Sequence, residues 1–360
     1  MGFNGAVRCD SSDPAAMGTA MLATSVTGRA GRRFLAVGLA ALALALACGG
    51  GDASTPQASP ASTDGQDGGD LSAILATTDL GVGPNRVSFL LTTSRSLVTV
   101  PQARVESYYR GYGTSPGPVR ESMQAVFHPW PYGTRGNYVA NFNLDDPGRW
   151  ELRVSVEEDG ETLTAVISLQ VEEASSTPGL GTLPPLTPNR TVREASDPSA
   201  LTSSSTPDLD LYQHSIAEII HNGRPAMVVF ASPAFCTTPT CGPQVETVEG
   251  IKEQYQSDVD FVHVEVYDNP QDIQGDLGRA EYAPAVHTWG LTGIEDYLNE
   301  SWVFILDREG RVTRKYEGFA SAQELVEGLV EVLQFARRFP GALEYRMTPA
   351  NWHPERSRAS

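Results

Sequence analysis

Two stretches of this chain read as unable to pack, and their positions decide what the remainder can become. Residues 49–70 (GGGDASTPQASPASTDGQDGGD) hold almost no large apolar side chain. Residues 174–208, with SSTPGLGTLPPLTP and SDPSALTSSSTPD, are dominated by Ser, Thr and Pro. Such composition buries too little apolar surface to offset its ordering entropy, so both stretches are expected to be tethers. They leave two packable regions of ordinary domain size, 71–173 and 209–338, followed by a loose tail at 339–360. No internal repeat relates the two regions.

Residues 71–173 read as all-β. Short alternating or β-branched runs recur at 87–93, 103–109, 123–128, 138–144, 150–156 and 163–171, separated by Gly-Pro, Asp-Pro-Gly and Glu-Asp-Gly turns. That spacing is the pattern of a sandwich. The run Gly136-Asn137-Tyr138-Val139-Ala140-Asn141-Phe142, followed by Pro147-Gly148-Arg149-Trp150-Glu151-Leu152, resembles the last strands of bacterial extracytoplasmic immunoglobulin-like modules. Some of those, the YtkA-like and CopC-like ones, accompany copper handling. Met123 and His128 are the soft-ligand candidates in this region, and the plainer expectation is a spacer or partner-docking module.

Residues 209–338 alternate helix and strand. Tyr212, Ile216, Ile219 and Ile220 mark a helix stopped by Asn222-Gly223, and AMVVFA at 226–231 is a buried strand. Pro243 suits a first helical position, with Val245, Val248, Ile251 and Tyr255 following at helical spacing. A strand over 259–267, a short helix over 272–282 and a hairpin of 302–306 with 311–316 come next. Ser321 and Glu324 then make a capping box for a helix over 322–337. The strand running into Phe235-Cys236, the Cys241-Gly242-Pro243 helix start and the run Trp302-Val303-Phe304-Ile305-Leu306-Asp307-Arg308-Glu309-Gly310 together resemble the thioredoxin-like superfamily, in its secreted, membrane-tethered form. The fold class is therefore multidomain: an all-β immunoglobulin-like sandwich followed by an α/β thioredoxin-like domain.

The resemblance implies thiol–disulfide exchange through Cys236 and Cys241, and three positions depart from the family pattern. The cysteines stand as C-x4-C rather than C-x-x-C. Val228, Val229 and Phe230 occupy the place of the family's buried acid. Ser301 aligns with the proline that faces the cysteines. Phe235, Ser301 and Trp302 are the candidate lining of a substrate groove, with Trp289 a further apolar candidate, and packing into the core is the alternative for each aromatic.

Physically, cysteines five residues apart on a helix would point about 140° apart, so the loop between them has to leave helical geometry for a bridge to form. Thr237, Thr238, Pro239 and Thr240 allow that. Three readings of the pair stay open. It is a redox-active dithiol, a structural disulfide, or, as in the Sco-type copper chaperones that share this fold, part of a Cu(I) site. His263 and His287 are the nearest histidines in sequence, and neither stands where the Sco pattern has its ligand, so no metal and no cofactor is expected. Either sulfur suits the attacking role: Cys236 by family position, Cys241 by its place at a helix N-terminus, where a thiolate is stabilised.

The N-terminus supplies the compartment. Arg29, Arg32 and Arg33 precede an uncharged 14-residue run, FLAVGLAALALALA, which is too short for a spanning helix and right for a signal peptide. Ala45-Leu46-Ala47-Cys48 resembles a bacterial lipoprotein signal, which implies a signal peptide of 1–47, lipidation of Cys48 and a tether over 48–70 on the extracytoplasmic face of the membrane. Ala45-Leu46-Ala47 also suits ordinary cleavage and a secreted form. Met17 and Met21 are alternative starts to Met1. With 26 Lys plus Arg against 44 Asp plus Glu and no basic run, nucleic-acid binding is not expected. The expected partner is an exported thiol or disulfide protein, met by a monomer. A phosphate-cradling Gly-rich loop and a Ser-His-Asp pattern are both missing from the sequence, which argues against nucleotide enzymes and hydrolases.

Overall fold

Seven antiparallel strands form the first body of the computed structural model, which describes residues 71–338 apart from 112, 114–116, 159, 196, 295, 296 and 298, and apart from the side chains of 336–338. The expected signal peptide of 1–47, Cys48 with its tether, and the tail of 339–360 lie outside the described residues. The strands are β1 (Leu71–Leu75), β2 (Gly83–Thr93), β3 (Gln102–Tyr109), β4 (Val119–Pro129), β5 (Gly136–Leu144), β6 (Gly148–Glu158) and β7 (Glu161–Val171), in the order β1-β2-β5-β4-β3-β6-β7. All six strands read from the sequence are present. β1 was not foreseen, because its five residues lie directly against the low-complexity stretch.

β4 turns the sheet's corner. Its first part pairs with β3, its last residues pair with β5, and Val126 faces both Gln102 and Val139. The two ends of the sheet then meet where Val82 N donates to Glu172 O at 3.0 Å and Glu172 N donates to Leu80 O at 2.9 Å, so a single sheet nearly closes into a barrel in place of the expected two-sheet sandwich; alternation along the strands buries one face in either architecture and does not separate them. Alternation fills the inside: Ala165, Ile167, Leu169 and Val171 of β7 are buried, while Val166, Ser168 and Gln170 face outward. They join Val87, Phe89, Tyr138, Phe142, Trp150 and Leu152 in one core. Met123 packs at its edge.

The second body is a four-stranded sheet in the order β11 (Val312–Glu317), β10 (Trp302–Leu306), β8 (Ala226–Ala231), β9 (Asp260–Glu265), with β8 parallel to β9 and the other pairs antiparallel. Successive residues of β8 feed opposite cores, which is why AMVVFA is apolar throughout. Val228 and Phe230 pack with Phe304 and Trp289, whereas Met227, Val229 and Ala231 pack against α2 (Cys241–Tyr255) and α5 (Ala322–Arg338). Each of the Val, Met and Phe side chains among these contributes about 1.5–3 kcal/mol on burial. The Ser321–Glu324 capping box of α5 forms as expected, Ser321 N donating to Glu324 Oε2 at 3.0 Å and Glu324 N to Ser321 Oγ at 3.3 Å. The strands, α2 and α5 come in the order read from the sequence.

Three local expectations are corrected. The helix expected at 212–220 divides into a 3-10 turn, Leu209–Tyr212, and the single-turn α1 (Ile216–Ile219), capped by Ser215 with Glu218. The helix expected at 272–282 is instead α3 (Pro270–Ile273) and a 3-10 turn, Leu277–Arg279, with α4 (Pro284–Thr288) beyond; Gln274 and Gly275 at positive φ break it. α2 begins at Cys241, which puts Pro243 at its third residue rather than its first.

The stretch 174–208 is an ordered strap, not a tether. Thr177, Thr187, Thr191, Leu201 and Thr202 are buried. Its polar groups are satisfied by the folded body: Asp79 accepts from Ser176 N (2.6 Å) and Thr177 N (3.2 Å), Gly181 N donates to Val312 O, Asn189 Oδ1 accepts from Ile216 N, and Glu265 accepts from Ser203 N (2.7 Å). Leu201, with Val192 and Ala195, packs on the core of the second body, and the hydrogen bonds, which composition rules do not count, hold the rest of the strap.

Polar contacts join the two bodies. Arg86 of β2 pairs with Glu324 of α5 at 2.9 Å and donates to the carbonyls of Glu317 and Phe319. Glu317 of β11 accepts from Thr78 N, Thr78 Oγ1 and Asp79 N, and Lys315 pairs with Asp79 at 3.1 Å.

Candidate functional site

The loop after β8 carries the chemistry. Ala231 ends the strand, Ser232–Phe235 make a turn closed by Phe235 N donating to Ser232 O, and residues 236–240 stay non-helical until α2 starts. Cys236 and Cys241 are bridged, with Cα atoms 5.9 Å apart, inside the range a disulfide needs. The two sulfurs differ in access. Cys236 is half-buried, whereas Cys241, at the first residue of α2, is fully buried.

The segment before β10 closes over this loop. The Asn299 carbonyl oxygen lies 3.2 Å from Cys236 Sγ. Asn299 holds a left-handed conformation, φ 52°, which asparagine tolerates better than most residues. Its Nδ2 donates to Phe235 O (2.9 Å) and Tyr267 Oη (3.0 Å), and its Oδ1 is buried without a partner among the described residues. Next to it, the Glu300 carboxylate accepts from Thr238 Oγ1 (2.7 Å) and Thr240 Oγ1 (3.3 Å), and the two hydroxyls lie 2.7 Å apart. Burial pushes the Glu300 carboxyl above its ordinary value, against the pull of these hydroxyls.

Of the residues singled out in the sequence, Cys236 and Cys241 come together, and the groove candidates Ser301 and Trp302 do not line a surface. Ser301 is fully buried, its Oγ donating to Gly318 O, and Trp302 is 1% exposed, stacked on Phe304 in the core. Strand β10 begins there, and alternate residues of a sheet covered on both faces have no route to solvent. Phe235 is half-buried and meets Tyr267 edge-on at 6.2 Å, the first ring of a row continuing through Tyr282 (5.4 Å) to Tyr297 (6.0 Å). Trp289 is core. The residue facing the cysteines is Asn299, two positions before Ser301. Asn299, Glu300, Thr238 and Thr240 were missed as site residues. The available signal was an Asn–Glu pair immediately ahead of an apolar strand.

The soft-ligand candidates are occupied elsewhere. His263 is buried between Tyr212 Oη and Ala231 O, and burial lowers it to about 4. His287 lies against Thr292 and Tyr282, and His128 against Ser321 and Glu324. Among the described residues, no three His, Cys, Asp or Glu side chains gather as a metal site.

Charge around the loop is acidic. Glu246, one turn into α2, accepts from Tyr132 Oη at 3.0 Å; Glu249 is pushed up by burial and then by Asp208; and Lys252, further along the helix, is paired with Asp208 and Asp210. The positive end of the α2 dipole is thus the favourable term for a thiolate at Cys241, and the carboxylates oppose it.

No protein-family model and no curated protein sequence matches the chain. Among solved structures eleven chains match. One is titled a thiol:disulfide interchange protein of the thioredoxin family from Chlorobium tepidum TLS; at 15% identity it covers 39% of this chain and 99% of its own, with a TM-score of 0.27, too low to carry an argument.

Proposed function

We propose that this protein is an extracytoplasmic thiol–disulfide exchange protein, tethered to the membrane through a lipidated Cys48, with a near-barrel β body preceding its thioredoxin-like domain. One observation carries the exchange reading: a half-buried Cys236 is bridged to a fully buried Cys241 where a strand hands over to a long helix. That asymmetry assigns roles. A partner thiolate attacks Cys236 Sγ, and Cys241 leaves as a thiolate at the α2 N-terminus. A second partner thiolate then attacks its own mixed-disulfide sulfur and releases Cys236, so the partner is oxidised and the pair reduced by two electrons. The reverse sequence reduces a partner disulfide, with Cys241 resolving.

The second reading, a non-catalytic binding module with a structural bridge, is favoured by the clamp of Glu300 on Thr238 and Thr240 and by the acidic surroundings. A Sco-like copper site has the least support, because His263 is committed to the core. The reduction potential of the Cys236–Cys241 pair, set against glutathione and thioredoxin buffers, separates the first two. A value between about −120 and −270 mV supports exchange. A value below about −300 mV, or a bridge opened only on unfolding, establishes the structural reading.

A further inference from the structure

The strongest unassigned feature beside the disulfide is a cavity of about 250 Å3 built from both bodies. One wall is the β4–β5 turn of the first sheet, with Trp130, Pro131, Tyr132 and Arg135. The other is Pro239 and Thr240 of the C-x4-C loop. Pro239 is three residues from Cys236, so the wall lies within about 11 Å of that cysteine along even a fully extended chain. The turn is preorganised. Trp130 N donates to Arg135 O (2.8 Å), Trp130 Nε1 to Asn137 Oδ1 (3.0 Å), and buried Asn137 Nδ2 to Ser88 Oγ (2.7 Å). Tyr132 Oη donates to Glu246 of α2, which ties the turn to the helix that begins at Cys241. A rigid wall loses little freedom on binding.

We propose that this cavity is a specificity subsite for the exchange partner, taking a bulky apolar side chain two or three residues from the partner's reactive cysteine. Two aromatic rings and two prolines line it, which suits an aliphatic or aromatic group of that volume. Arg135 is the one charged group among the lining residues, and against the acidic surroundings of the loop it is the group that an acidic residue next to the partner's apolar one would pair with. The first sheet thereby supplies half of the partner site. This inference rests on the exchange reading for its biology but is tested without it.

The test is a competition for one thiol. In Cys241→Ser protein, Cys236 is equilibrated in redox buffer with the peptides Ac-Glu-Xaa-Gly-Cys-Gly-NH2, Xaa being Gly, Leu or Trp, and the mixed disulfides are counted by mass spectrometry. The Leu and Trp peptides are expected to exceed the Gly peptide about tenfold, the lower end of what burying one such side chain yields. Adding Tyr132→Ala or Trp130→Ala is expected to bring that ratio below threefold, and exchanging the peptide's Glu for Lys to reduce capture severalfold unless the protein also carries Arg135→Ala. Equal capture of all three peptides overturns the proposal, as does a preference that survives both aromatic truncations in proteins with unchanged thermal unfolding. Should Cys241→Ser not fold, the same ratios are read from the rates at which the peptides open the native bridge. The reduction potential reports separately on the exchange reading, so either idea is able to fail alone.

Discussion

At the residue scale, the difference in burial between the two cysteines decides more than their spacing. A thiolate has to reach its target, and Cys236 is only partly buried where Cys241 is enclosed under the start of α2. With Cys241→Ser, the remaining Cys236 is expected to react with an aromatic disulfide reagent at least tenfold faster than Cys241 does in the Cys236→Ser protein. Comparable rates would mean that the loop opens readily and that burial assigns no roles. The cysteines themselves were legible from sequence, because an apolar strand running into a cysteine has few other meanings in this element order. Asn299 and Glu300 were not. Asn299 reaches Cys236 through its carbonyl oxygen, an atom every residue has, so residue type could not announce it. Trp302 was misplaced for a related reason. An aromatic beside a site looks the same in sequence whether it lines a groove or fills a core, and here Trp302→Ala is expected to lower stability by about 3–5 kcal/mol in a denaturant titration.

Among the elements, the regular strands were legible and the irregular strap was not. Period-two alternation in β7 and the all-apolar β8 each follow from which faces are covered, and that is a property of composition along the chain. The strap over 174–208 follows instead from what the folded body presents to it. Gly290 shows how closely the two fit. At φ 75°, a Cβ placed there would come within 2.0 Å of the Ser176 carbonyl oxygen. Gly223 has a similar φ of 80° with nothing within 4 Å of such a Cβ. Gly223→Ala should therefore cost only the backbone strain, about 1–2 kcal/mol, whereas Gly290→Ala should cost that and displace the strap as well. Thermal unfolding of the two variants, with limited proteolysis across 176–190, checks this. Equal losses and equal protease resistance would show that the strap does not press on Gly290.

Across the whole described unit, the two bodies are joined by charges withdrawn from water rather than by an apolar seam, and that makes the joint depend on pH. Glu317 lies at its centre, with Thr78 and Asp79 from the first body donating to it. Burial pushes its carboxyl up to about 7, and Asp79 adds to the rise against the donors that lower it. In the unfolded chain the same group releases its proton near 4.5. Between those values the native state binds more protons than the unfolded state, so stability falls as pH rises from about 4.5 to about 7 and levels off above. The displacement corresponds to about 3 kcal/mol at most. Glu265, raised to about 6 by its own burial, acts in the same direction, and Glu324, held down by Arg86 despite its burial, acts in the opposite one. The contribution of Glu317 is therefore isolated by difference. Urea titrations of wild type and Glu317→Gln at intervals from pH 4 to 8 should give similar stabilities at the acid end, with the variant gaining up to about 3 kcal/mol on wild type by pH 8. A constant offset between the two curves would mean that Glu317 releases its proton at the same pH in the folded and the unfolded chain, and that its burial in the joint does not hold the proton on.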